Sequence, residues 1–291
     1  MIWGIPYLLI RVAVEELSAP ALVFFRTAPA ALLMAPFAFR RGALAIVFAH
    51  WRWVTAYTLV EISVPWLLLF HAEQRISSSL AGLLVAAVPL IGAVVYRLFG
   101  HHERLDLRRR AGLVVGFVGV AALVGIDIGD SDPLAIAEMI GVAFCYAIGP
   151  LIISRRLHGL PSLAVVAASL TITAVIYTPP AMLDLPVSVS ADTVAAVATL
   201  ALVCTVLAFI LFFALIREVG PSRATVITYI NPLVAVLLGV ALLGEPFTTG
   251  IAVGLPLILL GSVLGTAPSL KVAPGGGAAP AVPGAAPPAA P

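Results

Sequence analysis

Ten stretches of nearly unbroken apolar residues divide this chain, at about 1–14, 20–39, 53–71, 78–99, 111–127, 134–154, 161–183, 193–216, 221–243 and 249–266. A helix of about 20 apolar residues crosses a hydrocarbon core about 30 Å thick, and lipid offers the backbone no hydrogen-bond partners, so such stretches must be helices. The rest of the composition agrees. Hydrophobic residues make up 62% of the chain and charged residues only 10%, against about 25% charged in soluble domains. The expected class is an all-α integral membrane protein, ten transmembrane helices with lipid as their solvent. A net charge of +2 gives no footing for nucleic acid. Cys145 and Cys204 both lie inside apolar stretches and read as small buried hydrophobes rather than a disulfide or a metal pair.

The chain also repeats itself. SLAGLLVAAVPLIGAVVYRLFGHHE, from Ser79 to Glu103, returns as SRATVITYINPLVAVLLGVALLGE, from Ser222 to Glu245, at an offset of 143. Ser79 meets Ser222, Ala81 meets Ala224, Pro89 meets Pro232 and Leu90 meets Leu233. After a slip of one residue, Glu103 meets Glu245, Gly112 meets Gly254 and Gly119 meets Gly261. A repeat of this size predicts one fold made twice, with residues 1–127 as the first five-helix repeat and 134–266 as the second. An odd number of spans per copy makes the two copies inverted with respect to the membrane. Gly112, Gly116 and Gly119, matched by Gly254 and Gly261, predict close helix contact rather than a nucleotide loop, since no strand precedes them.

Charge gives the expected orientation. Of the 16 basic residues, all but Arg11, Arg26 and Arg75 fall on one side of a ten-span path, among them the run Arg104 to Arg110. The opposite connections hold Glu15, Glu16, Glu73, Asp127, Asp130, Asp132, Asp184 and Asp192. The positive-inside rule then places both termini in the cytoplasm. The first stretch is short, at about 21 Å of helical rise, so an upstream piece of that helix is expected to be missing. Glu15 and Glu16 follow it where a signal peptide would carry a small-residue cleavage site. Residues 267–291, rich in Pro, Ala and Gly, are expected to be a disordered cytoplasmic tail.

Several motifs carry a resemblance. Trp3-Gly4 opens the chain and a basic residue, Arg11, falls late in the first stretch. Pro20, Val23 and Arg26 follow a proline-leucine-arginine pattern, with Val23 in the leucine's place. Ala224, Pro232, Leu233, Leu237, Gly244 and Glu245 form a signature near the end. Over residues 1 to about 266 the chain resembles the EamA family of the drug/metabolite transporter superfamily. His101 and His102 stand where small residues usually precede the first copy's Glu103, which makes it a weaker match than Glu245. The resemblance implies a ten-helix exporter of small metabolites that works by alternating access; the residue pattern alone shows an inverted-repeat membrane bundle.

A charge at bilayer depth costs on the order of 2.5–3.5 kcal/mol even on the lenient scale, so polar groups there mark the candidate site. Glu61 is the deepest, about 12 Å from either end of its stretch at 1.5 Å per residue. Arg26 lies roughly 9 Å deep, within a guanidinium's reach of the same level, and Arg11 is shallower. These three are expected to line a central cavity that binds substrate charge or a coupling proton; the alternative is a buried Glu61–Arg26 ion pair that fixes helix packing. Tyr57 shares a helical face with Glu61. Pro89 and Pro232 are expected to bend their helices mid-span toward the centre, with Tyr229 and Asn231 as the cavity's polar edge. His71 reads as interfacial.

Nothing in the chain spells an enzyme. His101, His102 and Glu103 lack the spacing of a zinc helix, and no nucleophile elbow, Walker motif or dinucleotide fingerprint occurs, so no cofactor or metal is expected. A small-molecule substrate, lipid and protons are the expected partners. A non-transporting scaffold and an intramembrane enzyme using Glu61 and Arg26 stand as the other readings. One lysine against 15 arginines, with abundant alanine and glycine, points to a GC-rich bacterial genome and the plasma membrane.

Overall fold

The computed structural model describes residues 2–38, 43–98, 107–127, 132–220, 224 and 229–266. Those residues form a helical bundle. In chain order its helices are α1 (Ile2–Ala13), α2 (Ala19–Phe37), the short α3 (Ala43–Ala49), α4 (Trp51–Glu73), α5 (Ser78–Val95), α6 (Leu107–Ile126), α7 (Pro133–Arg156), α8 (Ser162–Leu183), α9 (Ala191–Val219), α10 (Asn231–Leu243) and α11 (Thr249–Gly265). Seven of the described helices, α2 and α4 to α9, are long and apolar enough to cross a membrane; α1, α10 and α11 are apolar but shorter. No strand occurs among the described residues. Residues 99–106, 221–223 and 267–291, which hold His101, His102, Glu103, Ser222 and the expected tail, lie outside them.

Most helix bounds fall within a few residues of the apolar stretches, and the departures have causes. Inside α5 the helix breaks at Ala86–Ala87, where the Ala87 N–H reaches back only to Leu84, at 3.1 Å. Pro89 has no N–H to offer the Val85 carbonyl and its ring crowds that position, so the break precedes it. Pro232 differs from the sequence expectation. It stands in the first turn of α10 rather than in mid-span, a position whose N–H no helix uses. α3 is a helix within a connection that the hydropathy pattern reads as loop.

The main packing pairs are α6 with α11, α2 with α8 and α4 with α7, followed by α5 with α7, α5 with α10 and α1 with α9. Without a hydrophobic drive between helices in lipid, such pairs depend on close van der Waals fit and on buried polar contacts. Both are present. A Cβ added at Gly112 would stand 2.5 Å from the Gly265 nitrogen, and one at Gly261 would overlap the Gly116 backbone. Gly261→Val is therefore expected to lower the thermal midpoint of the solubilised protein, since overpacking costs about 1–3 kcal/mol; an unshifted midpoint would mean that α6 and α11 do not meet there. Between α4 and α8, Thr58 donates to Ser169 (2.8 Å), Ser63 pairs with Thr173 (2.7 Å) and the Tyr177 hydroxyl donates to the Ser63 carbonyl (2.9 Å).

Two helices carry a wider, π-helical turn, at Leu59–Ser63 in α4 and at Leu202–Leu207 in α9. Their first residues are 143 apart, the same offset that relates the two copies of the sequence repeat.

Candidate functional site

Glu61 lies in the π turn of α4. Such a turn holds one residue more than an α turn, which re-aims the side chains around it. Glu61 thereby faces a cavity of about 310 Å³ enclosed by residues of α1, α2, α4, α5, α7, α9, α10 and α11. Trp3, Tyr7, Arg26, Trp66, Tyr146 and Phe209 supply aromatic walls and one cation, and Tyr229, Asn231, Pro89 and Pro232 also line it. Among the described residues, Oε2 of Glu61 is buried with no hydrogen-bond partner, as is Oδ1 of Asn231. Gly149 on α7 leaves the room that the carboxylate occupies: a Cβ there would overlap it. Gly149→Ala is thus expected to push Glu61 out of position at about 1–3 kcal/mol of misfit, roughly 5- to 150-fold in affinity. Transport by that variant, at equal amounts in the membrane, checks it.

Arg26 is held from three sides. Its guanidinium carbon lies 3.7 Å from the centroid of the Trp66 ring and 5.8 Å from that of Phe70, and Nε donates to Thr205 Oγ1 at 3.1 Å. Thr205 sits in the π turn of α9 and donates to the Leu200 carbonyl, five residues back, at 2.8 Å. Two irregular turns therefore set the two ends of the polar pair, one carrying the carboxylate and the other the hydroxyl that orients the cation. Among the described residues no ion pair joins Glu61 to Arg26. Both groups face the cavity rather than each other, which is the opposite of the buried-pair alternative.

The structure does not bring all the sequence candidates together. Tyr57 is buried in a separate small cluster with Val54, Leu157, Ala164 and Val165, because the π turn that starts at Leu59 breaks the four-residue register with Glu61. Arg11 is not among the cavity's lining residues; its Nη1 donates to the Glu73 carbonyl at 2.8 Å. His71 is half-exposed and bonds Glu138 at 2.6 Å, beside an Arg75 that pairs with Glu138 and, at 3.3 Å, with Asp132. Tyr7 and Tyr146 had no signal in the sequence, where an aromatic in an apolar stretch looks the same facing lipid or cavity, and Trp3 was marked only by its place in the opening Trp3-Gly4 motif. Glu73 reads in the sequence as a solvated loop acid, yet it ends α4 with 0% of its surface exposed. A larger cavity, of about 470 Å³ between Phe25, Pro29, Val187 and Val194, is almost wholly apolar, with no charged group among its described lining residues.

The second half's Gly-Glu signature also has a structural reason. Gly244 ends α10 at φ 66°, a left-handed conformation that glycine adopts without strain, and the next N–H, of Glu245, donates back to the Gly239 carbonyl at 3.1 Å. That reversal carries the Glu245 carboxylate onto the first turn of α5, where it accepts from the backbone N–H of Ser78 (2.7 Å) and of Ser79 (2.9 Å) and from the Ser79 hydroxyl (2.5 Å). A helix N-terminus is the natural seat of an anion.

Comparison with known proteins fits this arrangement. The EamA-like transporter family matches residues 1–125 and 133–266. The chain belongs to that family. It is 30% identical over 270 residues to a protein of Escherichia coli (strain K12) named as an uncharacterized inner membrane transporter, YedA, covering 91% of this chain and 87% of that one. A protein of Archaeoglobus fulgidus named as an uncharacterized transporter is 24% identical over 269 residues, with 89% and 92% covered. A crystal structure at 21% identity, with a TM-score of 0.59 over 91% of this chain and 95% of that one, shares the fold. This EamA-family chain is a multi-pass membrane transporter.

Proposed function

We propose that the protein exports small metabolites, namely amino acids, related compounds or drugs, by alternating access around the Glu61–Arg26 cavity, with Glu61 as the proton-coupling group. The observation that carries this reading is the Glu61 oxygen, buried without a partner and turned into a chamber that also holds an arginine. An unpaired carboxylate at that depth is costly, and a cargo that brings a donor or a cation relieves the cost. A volume of about 310 Å³ sits at the low end of the 300–1,000 Å³ range of ligand pockets, which favours a small cargo. A cation, an acid and aromatic walls suit one that is both charged and partly apolar.

In this reading the bundle is ten spans in two inverted five-helix repeats, in a bacterial plasma membrane with both termini cytoplasmic. The equal offset of the two π turns supports the repeat. So does the packing. Counting α1, α2 and α4 to α11 as ten spans, advancing by five exchanges the partners within α6–α11, α2–α8 and α5–α10, and turns the α4–α7 pair into α9–α1. The test is a comparison of the medium of cells that over-express the parent chain with that of cells expressing Glu61→Gln or Arg26→Ala in equal amount. A compound that accumulates outside with the parent alone is expected; identical profiles from all three would overturn the proposal.

A further inference from the structure

The mechanism above leaves one buried acid unused. Glu73 has 0% of its surface exposed, and among the described residues neither carboxylate oxygen has a hydrogen-bond partner. Its neighbours in charge come from every side of the site: Glu245, which follows α10, is the like charge, Arg11 on α1 and Arg26 on α2 are the opposite charges, and the Tyr7 hydroxyl on α1 is the other titratable group. Arg11 spends a donor on the backbone carbonyl of Glu73, at 2.8 Å, and no ion pair reaches the Glu73 carboxylate among the described residues. The Ser78 hydroxyl, five residues further along the chain, is likewise buried without a partner among the described residues.

Glu245 makes this arrangement consequential. Its carboxylate accepts three hydrogen bonds from Ser78 and Ser79, tying the end of α10 to the start of α5. Gly239 has no side chain to intrude: a Cβ there would lie 2.9 Å from Ser78 Oγ and would overlap the Glu245 carboxylate. Gly82, which lines the cavity, is one helical turn from Ser78, about 6 Å along α5. The Glu245 contact therefore joins α10 to α5 about one turn from the cavity's lining.

Resting on the alternating-access reading, we propose that Glu73 is a second proton site, separate from Glu61, whose proton holds this latch shut. Glu245 accepts three donors, which a carboxylate does more strongly than a carboxylic acid, and an unpartnered carboxylate charge on Glu73, buried five residues before Ser78 in the chain, would weaken that hold by repulsion. The closed latch thus requires Glu73 in its neutral, protonated form. When the proton leaves the Glu73 carboxyl for water entering at that end, the two like charges drive Glu245 off the α5 N-terminus and the end of α10 swings free. Rebinding a proton reverses the step. The cavity then exchanges access to one side against one proton at Glu73, with no chemistry beyond proton transfer.

Hydrogen–deuterium exchange of the purified full chain tests this without any cargo, so its outcome is independent of whether the cavity reading holds. The Ser78 and Ser79 amides are themselves the latch, and their protection factors, corrected for the intrinsic pH dependence of exchange, report its opening. In the parent their protection is expected to fall with rising pH, by about tenfold per unit over the titrating range of a one-proton linkage. Glu73→Gln is expected to keep them protected at every pH, Glu73→Asp to restore the pH dependence, and Glu245→Gln to leave them weakly protected throughout. A Glu73→Gln protein whose profile tracks the parent's overturns the proposal. Should that variant fail to accumulate, a parental profile in Glu245→Gln overturns it equally.

Discussion

Arg26→Ala is expected to abolish measurable export while the protein still reaches the membrane. The change removes the cation above Trp66, worth about 2 kcal/mol when desolvated, and the charged hydrogen bond to Thr205, worth about 1.5–3 kcal/mol; either alone is roughly 10-fold or more in an equilibrium constant. It also leaves Glu61 as the one charged group among the cavity's described lining residues, which penalises an anionic cargo outright. Arg26→Lys should restore little, because a compact ammonium neither stacks flat on an indole nor holds Thr205 while still presenting donors to the chamber. Initial export rates of the compound found by medium profiling, normalised to protein in the membrane, check both variants. A lysine variant equal to the parent would mean that Arg26 acts only as a diffuse positive charge.

Glu61→Gln is expected to lower the export rate by roughly 10- to 150-fold, the value of a hydrogen bond to a charged group at about 1.5–3 kcal/mol, and to flatten its pH profile. The amide keeps the shape of the side chain and its fit against Gly149, so lost folding does not explain the loss. What disappears is the exchangeable proton and the negative charge. If the variant is slow yet retains the parental pH dependence, Glu61 binds cargo and the coupling proton travels elsewhere, with Glu73 as the next group to replace. If rate and profile are both unchanged, the carboxylate has no part in transport.

The sequence was most legible where lipid imposes its rule. Apolar run length alone placed most helix bounds within a few residues, because a helix in hydrocarbon has no alternative structure to compete with it. It was also legible at depth: Glu61 and Arg26 stand out as charges far from either end of their stretches, and both line the cavity. Register was less readable. The π turn at Leu59–Ser63 adds a residue to one helical turn, and this moved Tyr57 off the face that four-residue spacing assigns to it. Aromatics such as Tyr146 gave no signal because cavity and lipid are equally apolar neighbours. Glu73 misled in the other direction. An acid at the end of an apolar stretch reads as solvated, and only the fold, which also sets Arg11 of α1 on its backbone carbonyl, makes it buried.

The orientation of one side chain underlies all of this, and it can be measured. In a chain with Cys145→Ala and Cys204→Ala, the change Glu61→Cys places a thiol where the carboxylate stands, and its labelling by a charged, membrane-impermeant thiol reagent can be followed with and without the exported compound. The account predicts steady labelling that slows when the compound is added, as for a group inside a wet chamber shared with cargo. A thiol that ignores the charged reagent and reacts only with a lipid-soluble maleimide would put position 61 against the acyl chains and contradict it.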